Sequence, residues 1–201
     1  MKKLPVLAAV GVLIAALTSC SKSNDFVGSW QSMHPTDISR QLPGAANGSA
    51  LISISFGQNQ GQGGDVQLSS IIEATQPLVE NPGVNAGYEV SVAATATING
   101  KWTYEHGDDD DLILSLDPTT LDVHVDNSGV TFRQNQIDGV QTPVTDSLTT
   151  ATANMWKAQI TQAMRTEFGR YNKIDDIKVG KDSTLKFELD NPDQTLIFRK
   201  I

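Results

Sequence analysis

The chain has 201 residues, 15 basic against 23 acidic side chains, a formal net charge of −8 and a single cysteine. That length suits one domain with a sizeable core. The acidic balance argues against nucleic acid or an anionic lipid surface as the main partner, because both need positive charge to neutralise phosphate.

The first twenty residues have the three parts of an export signal. Lys2 and Lys3 form a basic start, Leu4 to Leu17 an apolar run, and the small residues Thr18 and Ser19 precede Cys20. An apolar run of about fourteen residues is shorter than the roughly twenty of a spanning helix. Leu17-Thr18-Ser19-Cys20 resembles the lipobox of bacterial lipoproteins. The resemblance implies that residues 1–19 are removed as a signal peptide. It also implies a diacylglyceryl group on the Cys20 sulfur and, in Gram-negative cells, a further acyl chain such as palmitate on the new amine. An ordinary secretory signal with an incidental cysteine is the alternative. Several acyl chains anchor a protein stably, whereas one holds it marginally, at about 0.8 kcal/mol per buried methylene.

Residues 20–25, the lipidated cysteine and a short polar tether, would then lead into a domain at 26–201. No aspartate follows Cys20 directly, which by the same resemblance favours the outer membrane and leaves the leaflet open. Without Lys2 and Lys3 the balance is 13 basic against 23 acidic residues, net −10. With Cys20 acylated no thiol remains, so disulfides, thiol catalysis and cysteine-ligated metals drop out.

Period-two alternation of apolar and polar residues dominates the domain and predicts strands. Phe26 to Trp30 opens it, and 35–48 reads as a long irregular excursion. Ile52, Ile54 and Phe56 share one strand face, as do Val66, Leu68 and, more weakly, Ile72. The glycine- and glutamine-rich stretch 58–65 and the proline-bearing 76–87 read as mobile loops.

Between Tyr88 and Glu105, Asn99-Gly100 is a strong hairpin signal. A single strand is the preferred reading, because Val90, Val92, Ala94, Ala96, Ile98, Trp102 and Tyr104 then keep one parity, with Gly100 marking a bend or bulge. Asp108 to Asp111 reads as a solvated turn. Leu112, Leu114 and Leu116 alternate, followed by Leu121, Val123 and Val125, then Val130 and Phe132. From Ser147 to Phe168 the period changes. Leu148, Ala151, Met155, Trp156, Ile160, Ala163, Met164 and Phe168 trace one helical face, with Asp146 as N-cap and Gly169 as the stop. Leu185, Phe187 and Leu189 then face Leu196 and Phe198 across a turn at 190–193.

Short strands joined by polar turns predict a mainly β, antiparallel barrel or sandwich with one covering amphipathic helix near 148–168. Gly28-Ser29-Trp30 at the start of the first strand resembles the Gly-Xaa-Trp opening of lipocalins and the wider calycin barrels. The resemblance implies a lipocalin-like barrel in which Trp30 closes one end beneath a basic residue near the C-terminus, with Arg199 the candidate. No lipocalin Thr-Asp-Tyr motif is found and the helix precedes two or three more strands, so an incomplete barrel is the alternative. A tryptophan that is simply a buried core aromatic suits the same fold.

Ala94, Ala96, Trp102 and Tyr104 are the candidate ligand-lining residues, since small residues beside large ones on an inward face leave room in a barrel of about eight strands. Side chains from the helix, Met155, Trp156 or Met164, are the competing occupants of that room. Calcium needs ordered oxygen ligands, and Asp108 to Asp111 lacks such spacing. His34, His106 and His124 lack metal-ligand spacing. Nucleophile-elbow, phosphate-cradling and dinucleotide motifs are absent, and paired carboxylates meet only in space. No catalytic residue, metal or cofactor is assigned. The expectation is a non-catalytic lipoprotein of the cell envelope, anchored through Cys20, that binds a small apolar or amphipathic ligand. A structural lipoprotein that engages an envelope protein or polysaccharide is the alternative.

Overall fold

The computed structural model describes residues 25–57, 63–79, 87–106, 110–134, 144–190 and 193–201. The expected signal peptide, Cys20 and Ser21 to Asn24 therefore lie outside the described residues. In chain order the elements are β1 (Gly28–Ser32), β2 (Thr36–Asp37), β3 (Asn47–Phe56), β4 (Gly63–Val79), β5 (Gly87–His106) and β6 (Asp110–Leu116). They continue with β7 (Asp122–His124), β8 (Val130–Gln134), helix α1 (Asp146–Gly169), β9 (Lys173–Val179), β10 (Thr184–Asp190) and β11 (Asp193–Lys200).

Every pairing is antiparallel. β1 pairs with β11 on one side and β3 on the other. This closes an 8-strand barrel of β1, β3, β4, β5, β6, β9, β10 and β11. The barrel is complete, and closure removes the unpaired edges that would otherwise template aggregation. β2 lies beside β3, while β7 and β8 lie beside β5.

Alternation sets the inside. Ile52, Ile54 and Phe56 on β3 and Val66, Leu68 and Ile72 on β4 are all buried. So are Val90, Val92, Ala94, Ala96, Ile98, Trp102 and Tyr104 on β5. β5 is one strand, and Asn99-Gly100 forms no hairpin. Gly100 is where its neighbour changes, from β6 alongside Gly100–His106 to β7 alongside Thr95–Thr97. The backbones approach so closely there that a Cβ on Gly100 would lie 2.4 Å from the Ser115 carbonyl oxygen.

Two expected loops are shorter than their composition suggests. Gly63 to Asp65 belong to β4, whereas 58–62 lie outside the described residues. Gln76 to Val79 extend β4, and Pro77 pairs with Glu89. Proline is tolerated there because β4 has its last β3 partner at Thr75, leaving one side of the strand free of a ladder. The excursion at 35–48 is also organised. It holds β2, a 3-10 turn at Ser39–Gln41, and the buried side chains of Ile38 and Leu42. Of the acidic run, Asp110 and Asp111 begin β6, and the rest lies outside the described residues.

α1 matches the helical period, with its cap shifted by one residue. The Thr145 hydroxyl oxygen accepts the Leu148 amide at 3.2 Å, so Thr145 is the N-cap and Asp146 sits in the first turn. The α-helix ends at Gly169 as expected, and a 3-10 turn at Arg170–Asn172 follows directly. The buried stripe is Thr152, Ala153, Trp156, Ile160, Ala163, Met164, Glu167 and Phe168. Met155, expected on that face, is 38% exposed. α1 packs on β5, β7 and β8.

Its C-terminal end is pinned by a buried ion pair, with Arg170 Nη1 and Glu167 Oε1 3.2 Å apart. Gln41 donates to Glu167 at 3.4 Å, and Arg170 donates to Gln194 at 2.7 Å. Among the described residues no helix is long and apolar enough to cross a membrane.

Candidate functional site

A ligand site was expected in the barrel interior. Ala94, Ala96, Trp102 and Tyr104 do share the inward face of β5, with exposures of 6%, 1%, 2% and 5%. They sit at two levels along the strand. Trp102 and Tyr104 stand near the start of the described chain, in an aromatic cluster around Phe26. Ring centroids lie 5.1 Å from Phe26 to Trp102, 5.8 Å from Phe26 to Tyr104 and 5.3 Å from Phe26 to Phe56.

Polar tips in this cluster are satisfied. Trp102 Nε1 donates to the Gly57 carbonyl at 3.1 Å, and the Tyr104 hydroxyl donates to Asp110 at 2.6 Å. Burial, then the Asp110 carboxylate, push the Tyr104 phenol well above its ordinary pKa. Ala94 and Ala96 lie further along, beside Ile72 and Ser70 of β4. All four residues belong to one apolar core that also contains the fully buried Trp156 and Met164 of α1. Tyr104 borders a depression of about 270 Å³ with Asp25, Phe26, Asp110, Ile177, Lys178 and Val179.

At the rim, Trp30 is 1% exposed and its Nε1 donates to the Phe26 carbonyl at 2.6 Å. A cation does cover its ring, but the residue is Lys200, with Nζ 5.4 Å from the ring centroid, and not Arg199. Register is the reason. Trp30 pairs with Lys200 and so shares its face, whereas Arg199 pairs with the adjacent Gln31. The parity of Phe198, an inward residue, already carried that signal. Gly28, at φ +126, leaves room for the lysine stem, since a Cβ there would lie 3.3 Å from Lys200 Cε.

Sequence reasoning missed a larger feature on the outer wall. A groove of about 600 Å³ crosses the outward side of β3, β4, β5 and β8. Its floor includes Ser49, Glu73, Thr75, Ser91, Ala93 and Thr131. One wall is β2 and the turn after it, with Pro35, Asp37 and Ser39; the other is a 3-10 turn carrying Ser128 and Gly129.

Both walls are built in the same way. Asp37 accepts from the Ser39 amide at 2.9 Å and from the Ser39 hydroxyl. Asp126 accepts from the Gly129 amide at 2.8 Å and from the Ser128 hydroxyl at 2.5 Å. These hydroxyl and amide donors hold both carboxyls below the usual carboxylate range. Gly129 lets the second wall press onto the floor, because a Cβ there would lie 2.5 Å from the Ala93 carbonyl oxygen. Asn127 ties that wall to α1 by donating to Thr150 at 3.0 Å. The only signal in the sequence was the repeated Asp-Xaa-Ser at the two walls.

The groove is lined by hydroxyls, an amide from Asn47 and the carboxylates of Asp37 and Glu73, with short apolar patches at Pro35, Ala74, Val92 and Ala93. That chemistry suits a molecule with donor groups or positive charge and a modest apolar body. His34 and His124 are exposed, and the His106 side chain lies outside the described residues. Among the described residues no group of three or more His, Cys, Asp or Glu side chains could hold a metal ion. Comparison with family models, curated proteins and solved structures finds no match to this chain.

Proposed function

We propose that this chain is a cell-envelope lipoprotein, anchored through acylated Cys20, whose barrel binds a small amphipathic molecule without catalysis. The binding place is the outer groove over β3, β4, β5 and β8, not the interior. The observation that carries this reading is the contrast between the two: a continuous apolar core that includes Ala94 and Ala96, and an open, mixed-polarity groove of about 600 Å³. That volume falls in the ordinary range for small-molecule sites, about 300 to 1,000 Å³. Its two carboxylates select a neutral or cationic partner over an anion. A second reading, capture of an extended peptide or glycan, is favoured by the groove's run across four strands and its rows of serine and threonine.

The anchor is tested by fractionating envelopes from cells that express Cys20→Ala. Release of the variant into the soluble fraction is the expected result. A variant still held by membranes would mean that Cys20 is not the anchor. Native mass spectrometry of the protein purified from its own envelope tests the ligand, with a bound small molecule as the expected adduct.

A further inference from the structure

Four apolar side chains stand in one row on the outside of the barrel, three on the strands β4, β3 and β11 and one, Met33, just past the end of β1. Leu51 of β3 pairs directly with Ile71 of β4. The β1–β3 register runs Ser29↔Ser55, Trp30↔Ile54, Gln31↔Ser53. Continued by two residues, it sets Met33 opposite Leu51, and both line a shallow depression of about 240 Å³ with Gln31, Ser32 and Arg199. The Met33 amide in turn donates to the Ile197 carbonyl of β11 at 2.9 Å. Ile71, Met33 and Ile197 are 53%, 50% and 44% exposed.

Single exposed apolar residues are ordinary on a protein surface. A contiguous row, with strands about 4.8 Å apart, marks a contact surface. Cations continue it. Ile197 pairs with Lys186 and Lys186 with Lys178, while Arg199 lies two residues along β11. Lys178 is paired with Asp176, but neither Lys186 nor Arg199 makes an ion pair with a described residue.

We propose that the row Ile71–Leu51–Met33–Ile197, flanked by Lys186 and Arg199, lies against the bilayer surface, so that the anchored barrel rests on its side. The inference rests on the anchoring of Cys20. The tether from Cys20 to Asp25 spans at most about 17 Å when extended. The five residue steps from Gly28 to Met33 cover about the same length at roughly 3.3 Å each. The leash is therefore long enough for the wall that bears Met33 to reach the membrane. Apolar side chains flanked by lysine and arginine match the acyl-to-headgroup boundary of an anionic leaflet. The acyl chains hold this acidic protein at the membrane, and the local cations select the side that faces it.

The orientation also has a consequence for the groove. Ser49 and Glu73, which line it, are each two residues along their strands from Leu51 and Ile71. A barrel on its side opens the groove next to the lipid surface. An upright barrel would hold it about 23 Å from the tether end of β3, seven residues away at roughly 3.3 Å each. An amphipathic ligand could then pass between the groove and the membrane.

The test uses the acylated protein in vesicles of phosphatidylethanolamine and phosphatidylglycerol. With Cys20 blocked by its lipid, single cysteines at Met33, Ile197 and Ser115 can each take an environment-sensitive fluorophore. Ser115 is exposed on β6, the strand opposite β1 in the ring. Nitroxide-bearing acyl chains should quench the labels at Met33 and Ile197 several-fold more than the label at Ser115. Equal quenching at all three sites, or more at Ser115, overturns the docking while leaving the anchor standing. Labels at Met33 and Ile197 that are shielded from aqueous iodide yet untouched by lipid quencher would mean a second copy or another protein covers the row, and also overturn it. A protein that never sediments with the vesicles overturns anchor and docking together.

Discussion

Gly28, Trp30 and Lys200 act together at the barrel rim. The glycine at φ +126 opens a slot, the lysine stem fills it, and the ammonium covers the indole ring. A cation over an indole contributes about 0.5–1 kcal/mol when exposed and about 2 when desolvated. Lys200→Ala is therefore expected to lower unfolding stability by about 0.5–2 kcal/mol, whereas Arg199→Ala stays within about 0.5 kcal/mol. Chemical denaturation of the two variants checks this, and a larger loss for Arg199→Ala would reverse the assignment. At this scale the sequence was legible in kind but off by one position. Gly-Xaa-Trp and the basic C-terminus were visible, while the choice between adjacent cations needed the strand parity set by Phe198. The candidate interior residues were equally half-legible. Alternation correctly placed Ala94 and Ala96 inward, and of the two readings left open there, a ligand or helix side chains, Trp156 and Met164 do join the same core.

Among the elements, turns of one design recur. Asp37, Asp117, Asp126 and Asp182 each accept from the hydroxyl two residues later, on Ser39, Thr119, Ser128 and Thr184. Hydrogen bonds to the charged form lower the pKa of all four. A carboxyl whose folded pKa is depressed stabilises the fold above its unfolded value, about 3.9, and loses that contribution as pH falls through the lower folded value.

A network across β6, β9 and β10 modifies this. Lys173 Nζ lies 2.6 Å from Asp175 and 3.6 Å from Asp111. Asp175 is lowered, by hydrogen bonds from Lys173 and Asp190 that outweigh its burial. Burial raises Asp111, and a hydrogen bond to Asp175 raises Asp190. The raised pair opposes stability only as pH rises above their unfolded values, so the depressed carboxyls govern the acid side. Stability should hold down to the ordinary carboxylate range near pH 4 and fall below it. Replacing Asp37, Asp117, Asp126 and Asp182 together by asparagine should flatten that acid limb. Denaturation midpoints measured against pH test the sign, and an unchanged limb would exclude the turns as its cause.

Most strands, and the helix within two residues, could be read from period alone. Pro77 and the glycines at 63 and 64 misled because loop-forming composition also occurs where a strand lacks a second partner or a backbone approaches closely.

For the whole molecule, an antiparallel barrel or sandwich with one helix was anticipated from patterning and a barrel from the Gly-Xaa-Trp resemblance, while strand count and closure were open until the pairing of β1 with both β3 and β11 resolved them. The groove was not anticipated. Its residues are outward serines, threonines and acids from several separate chain segments, each with the look of a solvated face, and only the three-dimensional walls make them concave. The reading of an anchored, ligand-binding barrel therefore rests on that groove. Its most direct test is native mass spectrometry on two tryptophan variants purified from their own envelope. Ala93→Trp fills the groove floor, and Thr103→Trp places the same indole at an exposed outer position of the same strand. The account predicts that the small-molecule adduct of the native protein is lost in Ala93→Trp and retained in Thr103→Trp. An adduct that persists in Ala93→Trp would contradict it and return the search to the barrel interior.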